Sequence, residues 1–515
     1  MANFFHTKGS RNMKKTLWVR FLALALVLVM LIPAICSCKK GDKETESTAA
    51  DTSAAEVVDT AEKDFNALNV LGAKDLGGDT VKFYLRSYGG IWDVSSLYAD
   101  SILSDTINDA VYMRNEQLKK QYNFDIEMEE SLAQFYPTRI VTQVMSGSFD
   151  SDVLTASAYD MTKIAVQGVL MDLHNIDALH LQDSWWNNTL NEQMTIANTL
   201  YYASGDLMCE DNMAVRCLYF NKTLANAFNF APEDIYEMAK SGQWTMAQMF
   251  EMASQCYQDK DNVAGKSEGD VFGFTAQKVA VHYVFMTAAN IRITEKDSND
   301  VPKVVLGTGN DTDIVDRIST YLHRDDSVYL EGDGLVHKAF KSNSALFMTE
   351  VLGTVVSMRD WDVKFGILPM PKYSVEQANY HHFADGNCLN LLAIPTGINA
   401  RLNTISFVLD AMCVESAKTL NPAFYDKCLR GRYAYDPESA DMIDIILDSM
   451  FVENANLFKG DGENDGWGVI QAQLREAVNN GTSIRNVVDQ YGTATAILIA
   501  QSVEKLKDIS VAQSY

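Results

Sequence analysis

Short apolar, β-branched runs alternate with longer stretches whose apolar residues recur every three or four positions. The runs at 81–85, 124–128, 152–156, 217–221, 272–276, 345–349, 363–368 and 389–394 predict strands. Helical spacing predicts helices over 104–122, 138–145, 159–170 and 312–323. Thr245-Met-Ala-Gln248 has the form of a capping box, with Thr245 as N-cap and Met249 and Phe250 turned inward. Beyond Ile398 the pattern becomes almost wholly helical, over 399–418, 422–429, 437–450, 468–479 and 483–509. Strands alternating with helices imply an α/β architecture with largely parallel sheets, here followed by a helical tail.

The first residues follow a different pattern. Met13-Lys14-Lys15 and Arg20 precede an apolar run from Phe21 to Ile35, which ends at Ile35-Cys36-Ser37-Cys38. A basic start, a short apolar stretch and a small residue before a cleavage point make an export signal. The run is shorter than the roughly 20 residues a membrane-spanning helix needs. Residues 39–63 are mostly Lys, Glu, Asp, Thr, Ser and Ala, with no aromatic before Phe65. Such a composition buries too little apolar surface to offset its ordering entropy and is expected to be a disordered tether.

Without residues 1–37 the chain carries 38 Lys plus Arg against 68 Asp plus Glu. That surface repels nucleic acid, so a nucleic-acid role is excluded as a working expectation. Some 440 residues exceed one ordinary core, so two lobes are expected. Six cysteines follow Cys38: Cys209, Cys217, Cys256, Cys388, Cys413 and Cys428. None forms a C-x-x-C pair, and buried thiols are the simplest expectation.

Catalytic signatures are missing. There is no G-x-S-x-G elbow and no H-E-x-x-H helix, and Gly265-Lys266-Ser267 lacks the first glycine of a phosphate loop. His381-His382 cannot chelate a metal from one helix face. Asp461-Gly-Glu463-Asn-Asp465-Gly466 starts like a calcium loop, but its twelfth position is Ala472 rather than an acid. The expectation is therefore a protein that is not an enzyme, with no cofactor and no metal.

Several motifs, in order, resemble those of the carbohydrate-type (family 1) extracellular solute-binding proteins of ABC importers. They are Ser151-Asp152-Val153, Gly168-Val-Leu-Met-Asp172-Leu173, Tyr219-Phe-Asn221-Lys222, Pro232, Gly242-Gln-Trp244-Thr245 and Phe365-Gly366-Ile-Leu-Pro369-Met-Pro371. The stretches Asn421-Pro422-Ala-Phe-Tyr425, Asp436-Pro-Glu438-Ser439 and Met442-Ile-Asp444-Ile-Ile446 resemble a lipoprotein subgroup of that family. Ile35-Cys36-Ser37-Cys38 is similar to the bacterial lipoprotein box, which implies acylation of Cys38.

The resemblance implies a two-lobe periplasmic-binding-protein-like (type II) fold with an interlobe hinge and a helical C-terminal region. It divides the chain into a signal (1–37), tether (38–75), first lobe (76–205), second lobe (206–384), a return to the first (385–435) and C-terminal helices mainly on the second (436–515). The implied function is capture of a sugar or oligosaccharide by a monomer anchored through lipid on the extracellular face of the cell membrane. Its partners would be the permease subunits of an ABC transporter. A surface glycan hydrolase and a sensing subunit of a membrane signalling system are the alternatives.

A sugar cleft needs flat aromatics and hydrogen-bonding side chains. The loop after the first strand offers Tyr88, Trp92 and Asp93, at a strand's carboxyl end. The segment where the resemblance places the first crossing offers Asp206, Glu210, Asp211, Asn212 and Arg216. Trp467, between two glycines, is expected to be an accessible indole that stacks on ligand. Asp160, Glu350, Asp385 and Asn387 complete the set, the last two near the return crossing. Trp185 and Trp186 are read as helical, Trp244 as a staple and Trp361 as structural.

Overall fold

The computed structural model describes residues 65–87, 93–130, 137–358, 361–433, 437–458 and 466–513. Cys38, the tether, Tyr88, Trp92 and most of the acidic turn at 461–466 lie outside the described residues.

In chain order the strands are β1 (Asp79–Leu85), β2 (Phe124–Glu130), β3 (Val153–Ser157), β4 (Arg216–Asn221), β5 (Phe272–Gln277), β6 (Thr294–Lys296), β7 (Pro302–Val304), β8 (Val328–Glu331), β9 (Ala345–Val351), β10 (Phe365–Leu368), β11 (His382–Phe383), β12 (Asn390–Ala393) and β13 (Met450–Phe451). Each of the eight runs singled out in the sequence contains a strand; β8 and the short pairs were not foreseen. One sheet has the order β12-β3-β1-β2 and the other β10-β4-β9-β5-β8. Strands β3, β4, β9 and β12 are buried along their whole length, as continuous apolar runs covered on both faces should be.

The sheets are largely parallel, as expected, with one exception in each. β1 pairs in parallel with β2 and β3, while β12 runs antiparallel to β3. β5 pairs in parallel with β8 and β9, while β4 runs antiparallel to β9 and β10. Each sheet thus holds one reversed strand. A crossover helix returns the chain to the same end of its sheet and makes parallel neighbours. β4 and β12 enter from the other sheet instead, so they start where their neighbours finish. The amino ends of β4 and β12 therefore lie beside the carboxyl ends of β1, β3, β5 and β9. That places Arg86, Ser157, Arg216, Gln277, Glu350 and Asn390 at the ends facing the crossings.

The helical expectations hold with shifted ends: Thr106–Tyr122, Pro137–Met145, Ala158–Ala165, Asp311–Leu322, Leu402–Ser416, Pro437–Asp448, Val469–Asn480 and Ile484–Gln513. Thr245 and Gln248 form both halves of the capping box. Residues Ala423–Tyr433 wind as a π-helix rather than the α-helix expected. Trp185 and Trp186 also differ: Trp185 sits in a turn and Trp186 in an isolated bridge to Gly205, neither in a helix. Both indole N–H groups donate to one Asp410 oxygen, at 3.2 and 2.8 Å, which holds the pair inside the core. Trp244 is fully buried, donates to the Pro369 carbonyl at 3.2 Å and packs on Phe347. All six described cysteines are buried, and none forms a disulfide with another described cysteine.

Candidate functional site

The densest polar constellation forms where the strand ends converge. Arg216, only 3% exposed, opens β4 and is shared between residues from distant parts of the chain. Its Nη1 donates to Glu350 Oε1 at 2.7 Å, and its Nη2 donates to Asp385 Oδ2 at 2.7 Å and Gln277 Oε1 at 3.0 Å. Its Nε donates to the same Asp385 oxygen at 3.1 Å. Gln277 Nε2 donates in turn to Glu350 Oε2, and His337 Nε2 lies 3.2 Å from that oxygen. Burial alone would raise the Glu350 carboxyl, but Arg216 and His337 outweigh it and hold the group below the ordinary carboxylate value. Burial likewise works against the Arg216 charge, yet Glu350 and Asp385 keep it more firmly protonated than a free guanidinium.

Asp385 ties this cluster to the other sheet. Its backbone N–H donates to the Ala214 carbonyl, and its carboxylate accepts from the Asn387 N–H at 3.1 Å. The Asn387 carbonyl accepts from Arg86 Nη1 at 2.8 Å, and that nitrogen also reaches Asn390 Oδ1 at 3.0 Å. Between them, Gly386 lets the backbone press against Tyr159: an added Cβ would stand 2.5 Å from that ring. Asn387 itself is exposed.

A second polar layer continues from there. Tyr159 donates to Asn456 Oδ1 at 2.5 Å, and Asn456 Nδ2 donates to Gln471 Oε1 at 3.0 Å. Gln471 Nε2 and both ring nitrogens of His282 are buried without a hydrogen-bond partner among the described residues. Burial pushes His282 well below the ordinary histidine value, so the ring is neutral. Beside it the half-buried Tyr283 stacks on Phe383, with ring centres 5.4 Å apart. The arrangement offers donors, acceptors and an aromatic face.

The residues singled out in the sequence separate into groups. Arg216, Glu350 and Asp385 meet in one cluster, with Asn387 at its edge. Glu210 is an internal anchor: its carboxylate accepts from the backbone N–H groups of Ser95 and Ser96, at 2.8 and 3.0 Å, and from Ser96 Oγ. This fixes the chain at 94–96, where Val94 N–H also bonds the Arg86 carbonyl at 2.9 Å. Asp93 directly precedes that segment. Asp211 is buried and accepts from Asn187 Nδ2 at 3.0 Å and Ser204 Oγ at 2.9 Å. Asp206 and Asn212 line a separate cavity with Asp211. Asp160 accepts from Ser157 Oγ at 2.9 Å near the amino end of its helix.

Trp467 is corrected. Its flanking glycines suggested accessibility, yet the indole is fully buried. Phe458 stacks on it at 4.2 Å, and its N–H donates to Ser502 Oγ at 2.9 Å. Conversely, Gln277, His337, Tyr283 and Gln471 were missed. Gln277 closes β5 and Tyr283 follows shortly after, so the strand-end rule applied to the first strand could have found both.

No protein-family model matches the sequence, and no curated protein matches it. Solved structures do match. An extracellular solute-binding protein from Staphylococcus aureus in complex with maltose superposes with a TM-score of 0.54 at 11% identity, over 83% of this chain and 98% of its own. UspC from M. tuberculosis gives 0.53 at 14% identity, over 81% of this chain and 100% of its own. The cyclic alpha-maltosyl-1,6-maltose binding protein from Arthrobacter globiformis gives 0.53 at 12% identity, over 83% and 100%. The fold is that of the two-lobe, periplasmic-binding-protein-like solute-binding proteins, and the strand-end cluster occupies the junction of its two sheets.

Proposed function

We propose that this chain is a lipid-anchored extracellular receptor that captures an uncharged sugar or oligosaccharide between its two sheets and delivers it to an ABC importer. The observation that carries the reading is the strand-end constellation. It presents Asn387, His337 and Tyr283 at partly open positions, backed by the buried Gln277, Asp385 and Gln471. Carboxamides, imidazole and a phenol ring suit hydroxyls and sugar faces.

The charge state narrows the ligand. Arg216 is the central cation, and both ends of its guanidinium are bound to carboxylates of the protein. An anionic ligand would have to displace one of them and leave it buried and unpaired, at a cost of several kcal/mol. An uncharged polyol needs no such exchange. The saccharides in the matched structures belong to the same chemical class.

Acylation of Cys38, a tether of about 35 residues reaching roughly 30 Å, and work as a monomer beside the permease complete the proposal. Calorimetric titration of the mature protein with neutral mono- and oligosaccharides tests it, with product analysis of each mixture. Saturable binding without turnover is expected. Release of cleaved sugar would favour the glycan hydrolase instead.

A further inference from the structure

A second cavity lies apart from the strand-end cluster and shares no lining residue with it. It measures about 410 Å³ and is walled by three stretches of chain, including Asn187, Asp206, Asn212, Asn421 and Tyr425. The first wall, around Asn187, is bonded to the crossing segment: Asn187 N–H donates to the Ser204 carbonyl at 3.0 Å, and Trp186 bridges Gly205. The second wall is that crossing segment itself, which carries the chain from one sheet towards β4. The third opens the π-helical stretch Ala423–Tyr433, which connects the helix Leu402–Ser416 to the helix Pro437–Asp448 packed beside β10.

The lining contains carboxamides, hydroxyls, the carboxylates of Asp206 and Asp211 and three aromatics, Trp186, Phe424 and Tyr425, and no Lys, Arg or His. An anion therefore finds no counter-charge there. The half-exposed Asn212 carboxamide has no hydrogen bond to any described residue, so its donor and acceptor are available. Asp206 meets Asn421, and burial, aided by the nearby Asp211, pushes its carboxyl up to about 6. Small-molecule sites span roughly 300–1,000 Å³, so this cavity, near the lower end of that range, suits a small ring compound.

We infer that this cavity is a second binding site, for a small uncharged polyhydroxy compound such as a monosaccharide or cyclic polyol. Its position links it to the first site. Three residues past Asp211, the Ala214 N–H bonds the Asp211 carbonyl at 3.1 Å, and the Ala214 carbonyl accepts from Asp385 at 3.0 Å. A compound seated between the two connecting stretches has contacts that change whenever the sheets move relative to one another. It therefore biases ligand capture through differential affinity for the two arrangements.

The test uses the mature protein with D-glucose, myo-inositol and glycerol as probes, read by thermal shift and saturation-transfer NMR. The variants are Asn212→Phe, which fills the cavity, Asn212→Leu, which only removes its hydrogen bonds, and Gln277→Ala in the strand-end cluster. At least one probe is expected to bind the parent and Gln277→Ala equally, with affinity reduced about tenfold or more in Asn212→Leu. The Phe variant should abolish binding; if it does not fold, the Leu variant decides alone. Binding lost in Gln277→Ala, binding indifferent to Asn212, or no binding of any probe overturns the inference. These readouts depend on Asn212, so they stand apart from whether oligosaccharides bind at the strand ends.

Discussion

Arg216→Leu is expected to destabilise the protein by about 3–5 kcal/mol and to abolish saccharide binding. The substitution leaves Glu350 and Asp385 buried without their shared cation, 2% and 8% exposed respectively. The pH dependence should reverse as well. In the parent, Glu350 is held below its ordinary value, so its contribution is complete above the unfolded pKa of roughly 4.3 and is lost as pH falls through the lower folded value. In the variant, burial dominates and raises the group, so the penalty is greatest near neutral pH and eases as pH falls through the raised value. Urea denaturation across that range reads both effects. A loss below about 1 kcal/mol would mean that Arg216 behaves like an exposed ion pair.

Glu210→Ala carries the next largest effect, about 2–4 kcal/mol. It removes the acceptor of the Ser95 and Ser96 N–H groups, of Ser96 Oγ and of the Cys209 N–H at 3.2 Å. Ser96 is buried, so its freed donor cannot turn to solvent. The consequence should extend to binding. Ser95 and Ser96, which follow the sequence-predicted ligand residue Asp93, are anchored on this carboxylate, and saccharide affinity should fall about tenfold. Glu210→Gln retains one carbonyl acceptor and should recover part of both losses. Equal stability of the Ala variant and the parent in denaturant titrations would remove Glu210 from its anchoring role.

Much of the fold was legible because buried strands announce themselves locally. The runs at β3, β4, β9 and β12 are buried along their length and mostly apolar, and the Thr245–Gln248 box marks its helix with neighbours alone. The reversal of β4 and β12 was not legible, since it depends on which sheet the chain came from. The site was legible only by residue type. Arg216, Glu350 and Asp385 could each be singled out as polar groups beside apolar strands. Their union spans 134 and 169 positions of sequence and follows from the pairing of β4 with β9 and the crossing at Asp385.

Aromatics were the weakest guide. Trp467 carries glycine on either side, yet a stack with Phe458 closes over it. Tyr283 carries no such mark and stands at the strand ends. Glu210 and Asp211 show the same limit for carboxylates. Both were expected to face a ligand, and both are occupied by serine, asparagine and backbone donors of the protein itself.

Hydrogen–deuterium exchange of the mature protein, with and without a neutral oligosaccharide that binds it, tests the central claim most directly. Protection should rise together in segments from both sheets: after β1 near Arg86, after β5 from Gln277 to Tyr283, and along the crossing from Asp385 to Asn390. Protection confined to one sheet, or absent from the Asp385 crossing, would contradict capture between the lobes.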